Sequence, residues 1–126
     1  MSAPTPVVRA ATYKRDENRC LLCGTTDQLE WNHRAAVGMG GNRRRPGAVE
    51  GVVLCSRCNT AIESDAALMV RALAHGLKIR KWANPELVPV YVAHKFQWFR
   101  LEGVKRVPIP GVVAIDLMHA VYGDQF

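Results

Sequence analysis

The sequence predicts an α+β domain that contains a structural zinc ion, and three patterns support this prediction. Apolar residues recur at helical spacing between Thr60 and Gly76. Segments rich in β-branched and aromatic residues follow Gly76, which favours strands. The third pattern is a set of two Cys-x-x-Cys pairs that contain all the cysteines of the chain: Cys20, Cys23, Cys55 and Cys58.

Each Cys-x-x-Cys pair has the spacing of a zinc knuckle. Two intervening residues let a tight turn aim both thiolates at one point, as tetrahedral zinc requires. Four cysteine ligands leave no open coordination position, so the predicted zinc is structural rather than catalytic. A rubredoxin-like iron site would use the same ligands, and a disulfide-bonded secreted domain is a further alternative.

The length of 126 residues fits one domain with a modest core. In small metal-binding domains the binding energy becomes folding energy, on the order of 10 kcal/mol. No apolar run approaches the roughly 20 residues that a membrane helix needs, and the N-terminus does not resemble a signal peptide. We therefore expect a soluble cytoplasmic protein without membrane contact.

The positive charge of the chain is concentrated around one loop. The formal net charge is +6, and four thiolates with one zinc ion lower it by two charges. Arg43, Arg44 and Arg45 are consecutive, and Arg34 lies upstream of them. We expect these four arginines to contact nucleic-acid phosphates, and a solvated basic loop is the alternative.

The first half of the chain is predicted to contain one helix and two short strands. A flexible lead is expected over residues 1–8. The elements after it are a helix from Arg9 to Asn18 and strands from Leu29 to His33 and from Val52 to Leu54. Residues 36–49 hold four glycines and three arginines, which predicts a loop between the strands.

The second half begins with the helix that ends at Gly76. Thr60 and Glu63 have capping-box spacing, and Gly76 has the position of a C-terminal cap. Its predicted buried face consists of Ile62, Ala66, Met69 and Leu73. Strands are expected over residues 77–82, 88–93 and 95–101, and a short helix from Ile115 to Val121. The predicted organisation is a lead over 1–8, a zinc-stapled core over 9–76 and a β-rich C-terminal extension over 77–126.

The order of these motifs resembles that of the HNH endonucleases, which have a ββα-metal (His-Me finger) active site. The closest resemblance is to the small HNH proteins common in bacteriophages. The matching segments are Cys20-x-x-Cys23-Gly24, Asn32-His33-Arg34, Gly38-Met39-Gly40-Gly41, Val53-Leu54-Cys55-x-x-Cys58-Asn59, Ile62-Glu63 and Asn84-Pro85-Glu86. The resemblance covers roughly residues 9 to 105 and does not explain the segment after residue 108.

The resemblance implies metal-dependent hydrolysis of DNA phosphodiester bonds. It assigns His33 as the general base that takes a proton from water, and Arg34 as a catalytic residue that steadies the phosphate. Asn32 and Asn59 correspond to ligands of the catalytic ion, and their oxygen atoms suit magnesium or manganese. DNA would be held mainly through its phosphates, and a phage-encoded protein would act in the host-cell cytoplasm.

Two positions depart from the pattern of the family. Asn32 stands where histidine or aspartate is usual, and Glu50 stands about where the middle asparagine of the motif is expected. The alternative is therefore a catalytically degenerate HNH-fold zinc protein, such as a phage accessory or inhibitor factor, that binds DNA or another protein without cutting. A zinc-dependent protein-interaction adaptor is a third class.

Overall fold

A computed structural model of the chain describes residues 2–36 and 44–123. These residues form a mixed helix-and-sheet structure, which confirms the α+β class. The helices are α1 (Pro6–Arg15), α2 (Ser56–Ser64), α3 (Ala66–Ala74) and α4 (Gly111–Tyr122). The strands are β1 (Leu29–His33), β2 (Gly51–Cys55), β3 (Val90–Val92), β4 (Gln97–Glu102) and β5 (Lys105–Ile109). Part of the predicted glycine–arginine loop, residues 37–43, lies outside the described residues.

Helix α1 begins three residues before its predicted start. The Thr5 side chain accepts a hydrogen bond from Val8 N at 3.2 Å, and Pro6 occupies the first helical position. Both features stabilise a helix N-terminus, since the hydroxyl satisfies a free amide and proline has none to satisfy. The segment predicted to be flexible, residues 1–8, therefore includes the first turn of a helix.

Strands β1 and β2 form an antiparallel pair, in which Leu29 lies opposite Cys55 and His33 lies opposite Gly51. The bounds of β1 agree with the prediction, and β2 extends the predicted strand by one residue at each end. Successive side chains of a strand point to opposite faces of the sheet. Trp31 Nε1 donates to Thr12 Oγ1 of α1 at 3.0 Å, whereas Glu30 contacts Asn59 of α2. The hairpin thus has one face toward α1 and the other toward α2.

A buried ion pair fixes the end of α1 to β2. The Arg15 and Asp16 side chains are fully buried, and Arg15 Nε lies 2.8 Å from Asp16 Oδ1. Arg15 also donates to the carbonyl oxygens of Ala48 and Gly51, at 2.7 and 2.8 Å. Asp16 Oδ2 accepts from Val53 N at 3.0 Å. These hydrogen bonds satisfy both charged groups inside the protein, as a buried pair requires.

The predicted single helix up to Gly76 is two helices, α2 and α3. Helix α2 begins directly after Cys55, so the capping box predicted at Thr60 and Glu63 is wrong. Asp65 ends α2 and caps α3, because its carboxylate accepts from Ala67 N at 2.9 Å and from Leu68 N at 3.3 Å. Ala66 is exposed after this break, although it was predicted to share a buried face with the apolar residues around it.

The C-terminal part forms a three-stranded antiparallel sheet in the order β3-β4-β5. Residues 77–82, predicted as a strand, contribute only an isolated bridge between Ile79 and Ala35. Strand β5 was not predicted; it contains Pro108, which is tolerated because β5 is an edge strand. Helix α4 is longer than the predicted segment from Ile115 to Val121. Within residues 2–36 and 44–123, no helix combines the length and apolar character needed to cross a bilayer.

One buried cluster joins the cysteine region to the C-terminal sheet. It includes residues of both Cys-x-x-Cys segments, of β2, of α2 and of β3 and β4. Its members are Cys20, Leu21, Leu22, Val52, Leu54, Cys55, Ile62, Ala72, Leu77, Val90, Val92, Phe99 and Leu101. The described residues on both sides of Gly76 therefore contribute to this cluster. A second buried cluster lies in the C-terminal part and consists of Ile79, Ala83, Val88, Met118 and Tyr122.

We expect Gly76→Ala to destabilise the fold by more than about 2 kcal/mol. Gly76 has a φ of +70°, and an added Cβ would overlap the carbonyl oxygen of Pro89. Gly103 is the matched control, since its φ of +58° is similar but its Cβ position is open. Urea unfolding of both alanine variants separates the cost of the positive φ from the cost of the overlap with Pro89. Equal losses of stability would show that the Pro89 contact is unimportant.

Candidate functional site

The four cysteine sulfur atoms form a cluster that fits a tetrahedral metal ion. All four Sγ atoms lie within 4.8 Å of one another, and Cys23 Sγ is 3.8 Å from Cys55 Sγ. Four sulfur atoms about 2.3 Å from a central zinc ion are about 3.8 Å apart, so the spacing suits zinc. The four cysteines are therefore positioned to bind a metal ion, consistent with the predicted structural zinc. All four are free thiols, which does not support the disulfide alternative.

Two short segments present these thiols. The first knuckle closes with a hydrogen bond from Gly24 N to Cys20 O at 2.8 Å, and Gly24 has the φ of +80° that this turn needs. The second knuckle joins the end of β2 to the first turn of α2, where Cys58 N lies 3.4 Å from Cys55 Sγ. Burial raises the pKa of the Cys20 thiol. A metal ion must displace that proton, so metal affinity falls as the pH falls.

The cluster and His33 lie at opposite ends of the hairpin. Cys55 pairs with Leu29 at the first residue of β1, and His33 is the last residue of that strand. Four residue steps of about 3.3 Å separate them along the strand. The cluster therefore braces the hairpin, and the histidine lies outside its coordination sphere.

Asn32 lies on the face of the hairpin that contacts α2, and Asn59 of α2 faces this side of the hairpin. Asn59 Nδ2 is 3.4 Å from Glu30 Oε1, and Asn32 Nδ2 donates to the Glu30 carbonyl oxygen at 3.2 Å. Asn32 is buried, whereas Glu30 and Asn59 are partly exposed. Glu30 is a functional candidate that the sequence reasoning missed. Its position two residues before Asn32 on a predicted strand already implied a shared face.

His33 lies on the opposite face, beside the N-terminal residues. Its Nε2 atom is 2.9 Å from the carbonyl oxygen of Ser2. Its ring and the Trp31 ring form a T-shaped contact, with ring centroids 5.0 Å apart and planes at 88°. The sequence predicted that His33, Asn32 and Asn59 would converge. The structure brings the two asparagines to one side through Glu30, and it turns the imidazole to the other.

The expectation that Arg34 contacts phosphate is wrong, because its side chain is completely buried. The guanidinium donates to four backbone carbonyl oxygens at 2.8–2.9 Å, those of Val49, Gly76, Pro85 and Val88. Burial, and then the neighbouring Arg15, lower the pKa of Arg34. Its donors are satisfied inside the protein, so Arg34 joins three separate parts of the backbone: Val49, Gly76 and the turn over residues 85–88.

The three consecutive arginines have different surroundings. Arg43 lies outside the described residues. Arg44 forms an ion pair with Glu50, and its side chain is 62% exposed. Arg45 donates from Nε to Ala3 O at 2.9 Å and from Nη2 to Pro4 O at 2.8 Å. Arg44 is thus exposed and paired with a carboxylate, whereas the Arg45 guanidinium is engaged with the N-terminal segment.

The described residues provide a four-thiol cluster that fits zinc, an oxygen-rich face at Glu30 and Asn59, and an imidazole held at one nitrogen. No protein-family model matches the chain, and no curated protein or solved structure matches it.

Proposed function

We propose that this chain is a metal-dependent HNH-type DNA endonuclease in which His33 is the general base. The observation that carries the proposal is the unit formed by β1, β2 and α2. Two antiparallel strands lead directly into a helix, with His33 at the end of β1 and Asn59 in α2. The four-thiol cluster braces the other end of this unit. The order of these elements along the chain supports the proposal, since it is the order that the resemblance to ββα-metal nucleases implies.

Hydrolysis requires His33 and the oxygen-rich face to reach one phosphate, whereas in the folded chain without DNA they lie on opposite faces of the hairpin. In an in-line displacement at phosphorus, the attacking and leaving oxygen atoms lie on opposite sides of the phosphorus atom. In the proposal, His33 removes the proton of the attacking water on one side of the scissile phosphate. In the proposal the oxygen-rich face stabilises the leaving group, and Arg44, with Arg43, holds the adjacent backbone.

The oxygen-rich face suits a hard divalent cation. Asn32 and Asn59 are the proposed ligands, and the Glu30 carboxylate is a third oxygen donor on the same face. Glu30 also orients the Asn59 side chain through the contact at 3.4 Å. When bound there, magnesium or manganese supplies positive charge that stabilises the leaving oxygen.

We expect His33→Ala to reduce DNA cleavage by about 10²- to 10⁴-fold, because water loses its proton acceptor. The measurement is the rate of nicking of supercoiled plasmid in magnesium, manganese or nickel. His119→Ala is the matched control, since His119 is exposed on α4. A single active site cuts one strand, so we expect nicked circles before linear DNA. Equal nicking by wild type and His33→Ala would contradict the assignment of the base.

A second candidate is an HNH-fold zinc protein that binds DNA or another protein without cutting. It is favoured by the burial of Asn32 and by the direction of His33, which points away from the face that carries Asn32 and Glu30. This candidate predicts binding of plasmid DNA without metal-dependent nicking. Binding through phosphates should weaken steeply as salt rises. A zinc-dependent protein-interaction adaptor predicts no salt-sensitive DNA binding.

A further inference from the structure

The N-terminal segment Ser2–Thr5, which we call the lead, lies against the face of the hairpin that carries His33. Three contacts hold it there besides the one to His33. Ser2 Oγ donates to Arg44 O at 3.0 Å, and Arg45 donates to the successive carbonyl oxygens of Ala3 and Pro4. Pro4 is buried, and Thr5 continues into the N-terminus of α1. The lead is therefore tied at each of its residues.

The contact between the lead and His33 defines which ring nitrogen carries the proton. A backbone carbonyl oxygen only accepts hydrogen bonds. The distance of 2.9 Å between His33 Nε2 and Ser2 O therefore requires Nε2 to be the donor. In a neutral imidazole the other nitrogen, Nδ1, then carries the lone pair.

We propose that the lead is a positioning element for His33 and that Arg45 is its clamp. The Ser2 carbonyl holds the Nε2–H tautomer and the direction of the ring, and it leaves Nδ1 as the proton acceptor. The edge contact with Trp31 restrains the ring from a second side. This inference rests on the proposed function only where it names Nδ1 as the reacting atom. The clamp and the ring hydrogen bond are properties of the folded chain without DNA.

The clamp consists of the two hydrogen bonds that Arg45 donates to the lead, whereas the neighbouring Arg44 pairs with Glu50. A guanidinium presents several donors in a rigid plane, so one side chain can satisfy two neighbouring carbonyl groups at once. Arg45 uses Nε and Nη2 for Ala3 and Pro4 in this way. Removal of Arg45 therefore releases two residues that directly follow the Ser2 carbonyl. Arg45 acts on His33 through the lead and does not touch the reacting atoms.

The test follows the His33 ring proton in ¹⁵N-labelled full-length protein, at a pH where the imidazole is neutral. In wild type we expect a slowly exchanging Nε2–H resonance, because the proton is held by Ser2 O. We expect Arg45→Ala to speed its exchange with water by at least tenfold. Arg100→Ala is the control, since Arg100 forms an exposed ion pair with Glu102 and its loss should leave the resonance unchanged.

A chain that begins at Pro4 is the second variant, because it removes the Ser2 carbonyl and keeps Arg45 and the Thr5 cap. It tests the proposal even if Arg45→Ala fails to fold. The same variants are assayed for plasmid nicking, where misplacement of the base should cost up to about 10²-fold. A ring proton that exchanges equally fast in wild type and both variants would overturn the proposal, as would faster nicking without the lead.

The two readouts distinguish this proposal from the nuclease assignment. If wild type does not nick DNA, the proposed function fails, while a protected ring proton that both variants lose still supports the lead as a positioning element. If His33→Ala abolishes nicking but neither variant changes the ring proton or the rate, the nuclease assignment stands and the positioning role is wrong.

Discussion

Removal of zinc is expected to unfold the chain, because the four-cysteine cluster that would bind it is continuous with the hydrophobic core. Cys20 and Cys55 are buried in the same cluster of side chains as Leu21, Leu54 and Ile62. The ion would connect the segment after α1, the end of β2 and the start of α2. Structural zinc contributes on the order of 10 kcal/mol, which is comparable to the whole stability of a small domain, about 5–15 kcal/mol.

The measurement is far-ultraviolet circular dichroism during titration with a zinc chelator, together with the metal content per chain. We expect one zinc ion per chain and loss of the helical signal as the ion is removed. Cys58→Ser should reproduce this loss. Arg57→Ala is the matched control, because Arg57 lies between the same two cysteines and is exposed. A chain that keeps its full stability after metal removal would contradict the structural role.

Elements with strong local signals were predictable from the sequence. β1 has its predicted bounds because a short alternating segment is flanked by polar residues on both sides. The break at Asp65 was missed, although Ser64-Asp65 carries a helix N-cap signal. Apolar residues at helical spacing continue on both sides of the break, so periodicity alone favoured one helix. The start of α1 was also misplaced, although Thr5-Pro6 is a helix N-terminal signal. In both cases the capping residues locate the helix end better than composition does.

The metal cluster was predictable because its ligands come in pairs with a fixed local spacing. The roles of the arginines could not be predicted, because the groups that accept their hydrogen bonds are distant in sequence. Arg45 contacts Ala3 and Pro4, which lie about forty residues earlier. Arg34 receives its four acceptors from three segments that only the folded chain brings together. A motif that places an arginine beside a histidine does not reveal whether the arginine faces solvent or the interior.

Arg34 also fixes the end of β1, directly after His33. Arg34 N donates to Glu50 O at 2.9 Å, and the side chain reaches Pro85 and Val88 in the C-terminal part. The residue after the proposed base therefore anchors the end of β1 to the segment after α3. A fixed strand end is useful to a general base, because the geometry of proton transfer depends on a ring that does not move. In the proposed function, Arg34 would act through the fold rather than through the phosphate.

Arg34→Met is expected to destabilise the chain by about 4 kcal/mol, since it leaves several buried carbonyl oxygens without a donor. Methionine keeps much of the volume of the side chain, so the loss reports the hydrogen bonds rather than a cavity. Arg34→Lys should recover only part of the stability, because one ammonium group cannot reach four acceptors in different directions. The measurement is the free energy of unfolding in urea with zinc present. Arg71→Met on the exposed side of α3 is the control, and an equal effect of both methionine variants would contradict the interior role of Arg34.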